Sequence, residues 1–270
     1  MSNIIESFIK LNPILQAFIC TLFTFVVTCA GASLVLFMKK VNHKILDFMM
    51  GISSGIMIAA AFWSLILPAI NLCNKLGKEG YIIPAIGIMS GGLFIVLSDV
   101  ILDKLLKLEA SNKKSILLAS AVTLHNIPEG MAIGVAFGSL ALGIDDVSIV
   151  SAVLLAFGIG IQNFPEGACV AMPLKNNGHT KYKAFVIGSL SAIVEPISGV
   201  LGALFALEVQ NALPFLLTFS AGAMIAVVCS ELIPDAFKNH KSIATIGVVI
   251  GFIIMMVLDV ALGWVESKRY

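Results

Sequence analysis

Two short motifs place side chains that can bind a metal ion inside apolar segments of the chain. One reads His125-Asn126-Ile127-Pro128-Glu129-Gly130, and the other reads Gln162-Asn163-Phe164-Pro165-Glu166-Gly167. Because residues three and four apart share one face of a helix, the first two side chains of each motif converge on its glutamate. An imidazole, two carboxylates and amide oxygens suit a divalent ion such as Zn²⁺, Fe²⁺, Mn²⁺ or Cd²⁺, whereas Cu(I) prefers thiolate. The motifs therefore predict a metal site formed by His125, Asn126, Glu129, Gln162, Asn163 and Glu166.

The proline in each motif changes the backbone beside the carboxylate. Pro128 and Pro165 have no N–H to donate and clash with the carbonyl one turn back, so each helix is expected to kink and to release a backbone oxygen. Ionisable residues within a membrane span usually face a cavity or a partner. The alternative is a buried hydrogen-bonded network that only locks the two helices together, but it does not explain why the proline and the glutamate occur twice.

The composition places these motifs in a membrane. The chain has 270 residues, of which 59% are hydrophobic and 12% are charged, and its mean hydropathy is +1.01. Soluble domains are roughly half apolar and a quarter charged. A helix needs about 20 apolar residues to cross a bilayer, and such stretches recur along the chain. They predict an all-α integral membrane protein with one transmembrane domain over residues 1–270 and eight spans: 13–38, 45–70, 81–102, 115–138, 147–174, 184–207, 212–237 and 243–265.

The distribution of charge predicts the orientation in the bilayer. The net charge is only +1, so no nucleic-acid partner is expected. Most of the lysines fall in alternate loops, and cytoplasmic loops carry an excess of lysine and arginine. Both termini are therefore expected to face away from the cytoplasm, which agrees with an even number of spans. The five cysteines form no CxxC pair, so a thiolate zinc site is not predicted.

The sequence also contains an internal repeat. Gly55-Ile56-Met57-Ile58-Ala59 in the second span corresponds to Gly222-Ala223-Met224-Ile225-Ala226 in the seventh, and Leu65-Ile66 corresponds to Leu232-Ile233. The third and eighth spans align more weakly, and the two motifs align the fourth span with the fifth. Aligned spans cross in opposite directions, as in transporters built from inverted repeats around a midplane site. The predicted order is 3 + 2 + 3, with the two motif helices on the two-fold axis.

With these motifs, the sequence resembles the ZIP (Zrt/Irt-like) family of metal transporters, and within it the GufA-like branch. The resemblance spans the whole chain and includes HNxPEG followed by a second NxPEG. It implies a first metal site formed by His125, Glu129, Gln162 and Glu166. It implies a second site that shares the two glutamates and consists of Asn126, Glu129, Asn163, Glu166 and Glu195. Met57 and Ser64 match positions on the approach to the first site, and Glu231 lies where the family binds metal on its way out.

The resemblance implies that the protein moves divalent metal, zinc above all, towards the cytosol, with the metal as cargo and without enzymatic activity. The expected location is the plasma (inner) membrane, with the lipid bilayer as partner. The family's transport helices are expected to slide against a dimerising scaffold, which makes a homodimer the expected assembly. One departure bears on selectivity, because Gln162 stands where many relatives have a second histidine. The site is therefore harder, and iron, manganese and cadmium remain candidates beside zinc.

Glu195 can be read in two ways from the sequence. It precedes Pro196 within an apolar span and so repeats the pairing of carboxylate and proline seen in the motifs. A ligand role and a structural hydrogen bond are both consistent with that position.

Two other functions would also use buried carboxylates. An intramembrane metallohydrolase would hold a catalytic zinc ion, but the sequence has no HExxH motif and the motifs leave no spare general base. A proton or sodium antiporter would bind its ions without His125. Cleavage of a peptide by the purified protein would favour the hydrolase, and transport that ignored zinc and survived His125→Ala would favour the antiporter.

Overall fold

The computed structural model describes residues 2–37, 43–105, 110–140, 148–176, 178–208 and 210–267. Within these ranges all regular structure is helical, as the composition predicts. The α-helices of the described ranges are α1 (Ser2–Ile9), α2 (Pro13–Phe37), α3 (His43–Ala60), α4 (Leu67–Lys75), α5 (Ile82–Leu105), α6 (Ala110–Leu140), α7 (Ile149–Asn176), α8 (Lys181–Leu190), α9 (Val194–Glu208), α10 (Leu213–Val227) and α11 (Ile233–Ser267).

Among the described residues, six helical segments are long and apolar enough to cross a membrane. They are Pro13–Phe37, His43–Lys75, Ile82–Ile101, Ile149–Lys175, Lys181–Glu208 and Leu213–Val260. The prediction of an all-α membrane protein is therefore confirmed. The last segment is 48 residues long and contains His240, whose backbone (φ −131°, ψ 69°) is not helical. Helix α6 is not among the six, and side chains 110–122 at its start lie outside the described residues. The count of eight spans stays a prediction.

Glycines bring four pairs of helices into backbone contact. A Cβ at Gly55 of α3 would lie 2.1 Å from the carbonyl oxygen of Val248 in α11, and one at Gly91 of α5 would lie 1.9 Å from that of Phe219 in α10. Helix α6 packs on α9, and α2 packs on α7, in the same way. Small residues let helix backbones approach closely in a membrane, where lipid removes the hydrophobic force between helices. These contacts hold together the helices that carry the motifs.

The register of these contacts gives the relative direction of the paired helices. On α3, Gly51 meets Ala244 and Gly55 meets Val248, one turn further along both helices. Helix α3 and the C-terminal part of α11 therefore run in the same direction. The same rising order relates α5 to α10 and α6 to α9.

Two π-helical turns lie at positions that the internal repeat aligns. Ala61–Ile66 joins α3 to α4, and Val228–Leu232 joins α10 to α11. Since the repeat aligns Leu65 with Leu232, Ser64 in the first turn is equivalent to Glu231 in the second. π-Helical turns are rare in proteins, and those that do occur are often found at functional sites. The repeat therefore extends to a backbone irregularity that no residue pattern predicted.

Alanine at Gly91 should destabilise the protein, because the new methyl group would meet the backbone of Phe219 at 1.9 Å. Overpacking of this kind typically costs about 1–3 kcal/mol. Gly92 is a matched control, since a Cβ there would have its nearest neighbour, the oxygen of Gly222, at 3.8 Å. Gly92→Ala should leave the stability unchanged or slightly higher. Thermal unfolding in detergent measures both variants, and equal melting temperatures would contradict the close packing of α5 on α10.

Candidate metal centre

The polar motif side chains that the structure describes are all buried. They are Asn126, Glu129, Gln162, Asn163 and Glu166, and each exposes 3% of its surface or less. Glu195 on α9 is equally inaccessible. His125 lies in α6, but its side chain is outside the described residues, so its role as a ligand stays a prediction.

A hydrogen bond between the two motifs joins α6 to α7. Gln162 Nε2 donates to Glu129 Oε1 at 2.7 Å. Because the amide nitrogen faces the carboxylate, the amide oxygen of Gln162 points away from it. Both helices continue through Pro128 and Pro165. The missing N–H of each proline leaves the carbonyl one turn back without its usual helical donor.

Three buried amide oxygens of the motifs accept no hydrogen bond from any residue that the structure describes. They are Asn126 Oδ1, Gln162 Oε1 and Asn163 Oδ1. The amide nitrogen of each of these side chains does have a hydrogen-bond partner. A buried acceptor without a donor costs about 1–3 kcal/mol. A divalent cation would offset this cost, because carbonyl oxygens are suitable ligands for hard and borderline metal ions.

Glu195 is held beside the second motif by two side chains. Asn163 Nδ2 lies 2.9 Å from both carboxylate oxygens of Glu195, and the hydroxyl of Thr24 donates to one of them. These contacts link α7, α9 and α2. They remain consistent with both readings of Glu195, as a ligand and as a structural residue. Thr24 was not singled out from the sequence, although threonines recur at helical spacing along α2.

The sixth predicted span is interrupted beside the site. Residues 191–193 separate α8 from α9. Glu195 N donates to the carbonyl of Ala192, three residues back, at 3.0 Å, because Pro196 has no N–H to donate to that carbonyl. The carbonyl of Ser191 is thereby released, and it accepts a hydrogen bond from Asn126 Nδ2 at 3.0 Å. Non-helical backbone at membrane depth is tolerated where it is buried in protein or lines a cavity.

A hydroxyl from a third helix reaches the second motif. Ser53 Oγ of α3 is fully buried and donates to Glu166 Oε1 at 2.9 Å. The sequence carries no clear signal for this contact, because a serine between glycines of a packed helix is common at membrane helix interfaces.

The side chains at the motifs that the structure describes and that could bind a metal ion are carboxylates and amides. Among the described side chains, no three His, Cys, Asp or Glu residues form a group that could hold a metal ion. An imidazole ligand therefore depends on His125, outside that set. Binding of a second metal ion beside the first also stays a prediction.

The three predicted pathway residues lie in different surroundings, two beside cavities and one in the core. Ser64 lines a cavity of about 370 Å³ and donates to Asp259 Oδ1 at 2.9 Å. Glu231 lines a cavity of about 180 Å³, and Glu166 lines the same cavity. Met57 is fully buried in the core. Glu166 is therefore the motif side chain in contact with open space on the side of Glu231.

The chain is similar to known proteins along most of its length. A family model described as ZIP Zinc transporter matches residues 102–259, a range that contains both motifs. The chain is 32% identical to Zinc transporter ZIP11 of Xenopus tropicalis, over 93% of this chain and 98% of the relative. It is 33% identical to Zinc transporter ZIPB of Bordetella bronchiseptica, over 88% and 79%. It is 32% identical to Zinc transporter GufA of Myxococcus xanthus, over 87% and 94%.

Proposed function

The chain belongs to the ZIP family of zinc transporters, and on that premise we propose that it carries divalent metal ions, zinc foremost, across a membrane towards the cytosol. The observation that carries the proposal is the set of three buried amide oxygens, on Asn126, Gln162 and Asn163, that no described donor reaches. Two of these amides hold a carboxylate through their nitrogen, Glu129 in one case and Glu195 in the other. A structural polar network would use both ends of each amide, whereas a cation site leaves the oxygens for the metal.

The proposed ligands divide into two sets that share Glu129 and Glu166. The first metal takes His125, Glu129, Gln162 and Glu166. The second takes Asn126, Glu129, Asn163, Glu166 and Glu195. Oxygen donors dominate both sets, so iron, manganese and cadmium are proposed as further cargo beside zinc.

We place eight spans in the order 3 + 2 + 3, which three features of the described residues support. The segment Leu213–Val260 has 48 residues, and at 1.5 Å per residue it would be about 72 Å long, more than twice the roughly 30 Å hydrocarbon core. We assign one crossing to each side of the break at His240. The parallel glycine contacts and the two aligned π-helical turns supply the symmetry that an inverted repeat requires.

The two cavities support a transport pathway in which the metal site is closed on the side of Ser64 and open on the side of Glu231. The cavity at Ser64 has none of the described motif side chains in its lining. The cavity at Glu231 reaches Glu166 and is also lined by Asp47 and Asp235, whose carboxylates favour a departing cation. His43 and Lys238 of the same lining adjoin lysine-rich loops. By the positive-inside rule that side is cytoplasmic, and both termini lie on the other side of the plasma membrane.

The assembly is proposed to be a homodimer, as the family resemblance implies. Chemical cross-linking of the protein in its native membrane, followed by mass measurement, tests this separately from transport.

Uptake of radiolabelled zinc into proteoliposomes tests the proposed function. We expect saturable uptake that Cd²⁺, Mn²⁺ and Fe²⁺ reduce by competition, and that protein-free liposomes lack. His125→Ala should raise the zinc concentration needed for half-maximal uptake, because the first metal loses its imidazole. His179→Ala, in the loop before α8, is the matched control and should behave as the parent.

The antiporter reading predicts a different result. Sodium or proton flux that needed no zinc and was equal in the parent and in His125→Ala would contradict metal transport. Cleavage of a peptide by the purified protein would instead favour the hydrolase.

A further inference from the structure

Helix α3 is fixed against the C-terminal part of α11. A Cβ at Gly51 would lie 2.3 Å from the carbonyl oxygen of Ala244, and one at Gly55 would lie 2.1 Å from that of Val248. The two backbones are therefore in direct contact along one face of α3. Ser53 lies two residues from each glycine, which at about 100° per residue puts it on the opposite face of the helix. That face is turned towards α7 and the second motif.

The hydroxyl of Ser53 does not make the bond that a serine in a helix usually makes. Serine hydroxyls within helices commonly donate to the carbonyl one turn back. The neighbouring Ser54 does so, with its hydroxyl 2.8 Å from Met50 O. Ser53 Oγ instead lies 2.9 Å from Glu166 Oε1, and 3.4 Å from the carbonyl of Gln162. A hydroxyl has one proton, and the shorter contact, to a carboxylate, is the stronger one.

The acceptor of this bond is central to the proposed metal sites. Glu166 exposes 3% of its surface, belongs to both proposed ligand sets and borders the cavity at Glu231. Each carboxylate oxygen has two lone pairs, so Oε1 can accept from Ser53 and still bind a metal ion. A glutamate side chain has three rotatable bonds, and an ion binds it more tightly when its orientation is already fixed. Hydrogen bonds to ligating carboxylates have this effect in metal sites.

We propose that Ser53 is a positioning residue, whose hydroxyl holds the Glu166 carboxylate in the orientation that metal binding requires. Helix α3 then contributes to the metal site although it carries no motif residue. The contact also ties α7, which carries proposed metal ligands, to the helix pair formed by α3 and α11. This inference rests on the proposed function, in which Glu166 is a ligand.

Zinc binding to purified protein in detergent tests this role, with a chelating dye as competitor. Ser53→Ala should raise the apparent Kd for zinc by about tenfold, which is the lower end of the effect of losing a group that orients a metal ligand. Ser54→Ala is the matched control, because Ser54 is just as buried but its hydroxyl donates within its own helix, to Met50 O. Its Kd should equal that of the parent. Ser53→Thr keeps the hydroxyl and should restore tight binding.

Uptake kinetics separate orientation of a ligand from a structural role. Ser53→Ala should raise KM while Vmax stays within about twofold of the parent, because affinity is lost and the fold is kept. Equal Kd values for Ser53→Ala and Ser54→Ala would overturn the inference and leave the proposed function standing. A fall in Vmax at unchanged KM, or weak binding by Ser53→Thr, would overturn it as well. Failure of the parent itself to bind zinc would overturn the proposed function, and the role of Ser53 with it.

Discussion

Zinc uptake should fall by roughly a hundredfold or more in Glu129→Ala and in Glu166→Ala, since removing one partner of a buried charge pair costs about 3–5 kcal/mol. Both carboxylates are almost inaccessible to solvent, and a neutral water molecule in the place of either one would not supply its negative charge. Each is proposed to bind both metals, and each supplies half of the charge that neutralises the first ion. Initial rates of radiolabelled zinc uptake at equal protein density in proteoliposomes measure the loss.

The controls for this experiment separate charge from folding. Glu129→Gln keeps the shape and polarity of the side chain but removes its charge, so it should fold as the parent does and still lose uptake. Glu79→Ala, at an exposed position before α5, should transport normally. Normal uptake by both Glu129→Ala and Glu166→Ala would show that these glutamates do not bind the transported ion.

Glu195→Gln should bind about one zinc ion per chain at saturation where the parent binds about two, because unpaired charge in a low dielectric is heavily penalised. One divalent ion is balanced by Glu129 and Glu166. A second adds two positive charges that the neutral amides of Asn126 and Asn163 cannot offset. Asn163 can hold Glu195 through its nitrogen while its oxygen, which no described donor reaches, binds metal. Equilibrium dialysis with metal analysis gives the stoichiometry.

Glutamine at position 195 is a mild change with a matched control. Its amide oxygen can still accept from Thr24 and Asn163, so the contacts between α2, α7 and α9 are kept. Transport should therefore be reduced but not lost. Glu208→Gln, at an exposed position on the same helix, should leave the stoichiometry unchanged. Equal stoichiometry in the parent and in Glu195→Gln would mean that Glu195 is structural and that the site holds one metal.

Much of the fold and of the candidate site could be predicted from the sequence. Helices and burial follow from composition and from apolar runs, because a chain this hydrophobic must pair its backbone groups internally. The motif glutamates and amides could be chosen because residues three and four apart share a helix face whatever lies around them. The lack of a Cβ at Gly130 permits a close backbone approach, and in the structure a Cβ there would lie 2.4 Å from the carbonyl oxygen of Glu195.

The partners of these side chains could not be predicted in the same way. Ser53 meets Glu166 and Thr24 meets Glu195 over separations of 113 and 171 residues, and no local pattern encodes which helix faces which. The carbonyl of Ser191 is released because of a proline in one helix, and it accepts a hydrogen bond from an asparagine, Asn126, in another.

What the sequence by itself determined about this protein was thus its helical membrane architecture, its repeat and the residues that bring carboxylates and amides to the interior. Periodicity and residue spacing act within one helix, so they can be read along the chain. Only the tertiary structure decided which end of each amide is engaged, that α3 contributes a hydroxyl, and that Glu166 borders a cavity while Met57 is buried in the core. These features depend on how helices pack against one another. Glycine contacts between distant segments set that packing, and their choice of partner is a property of the whole fold.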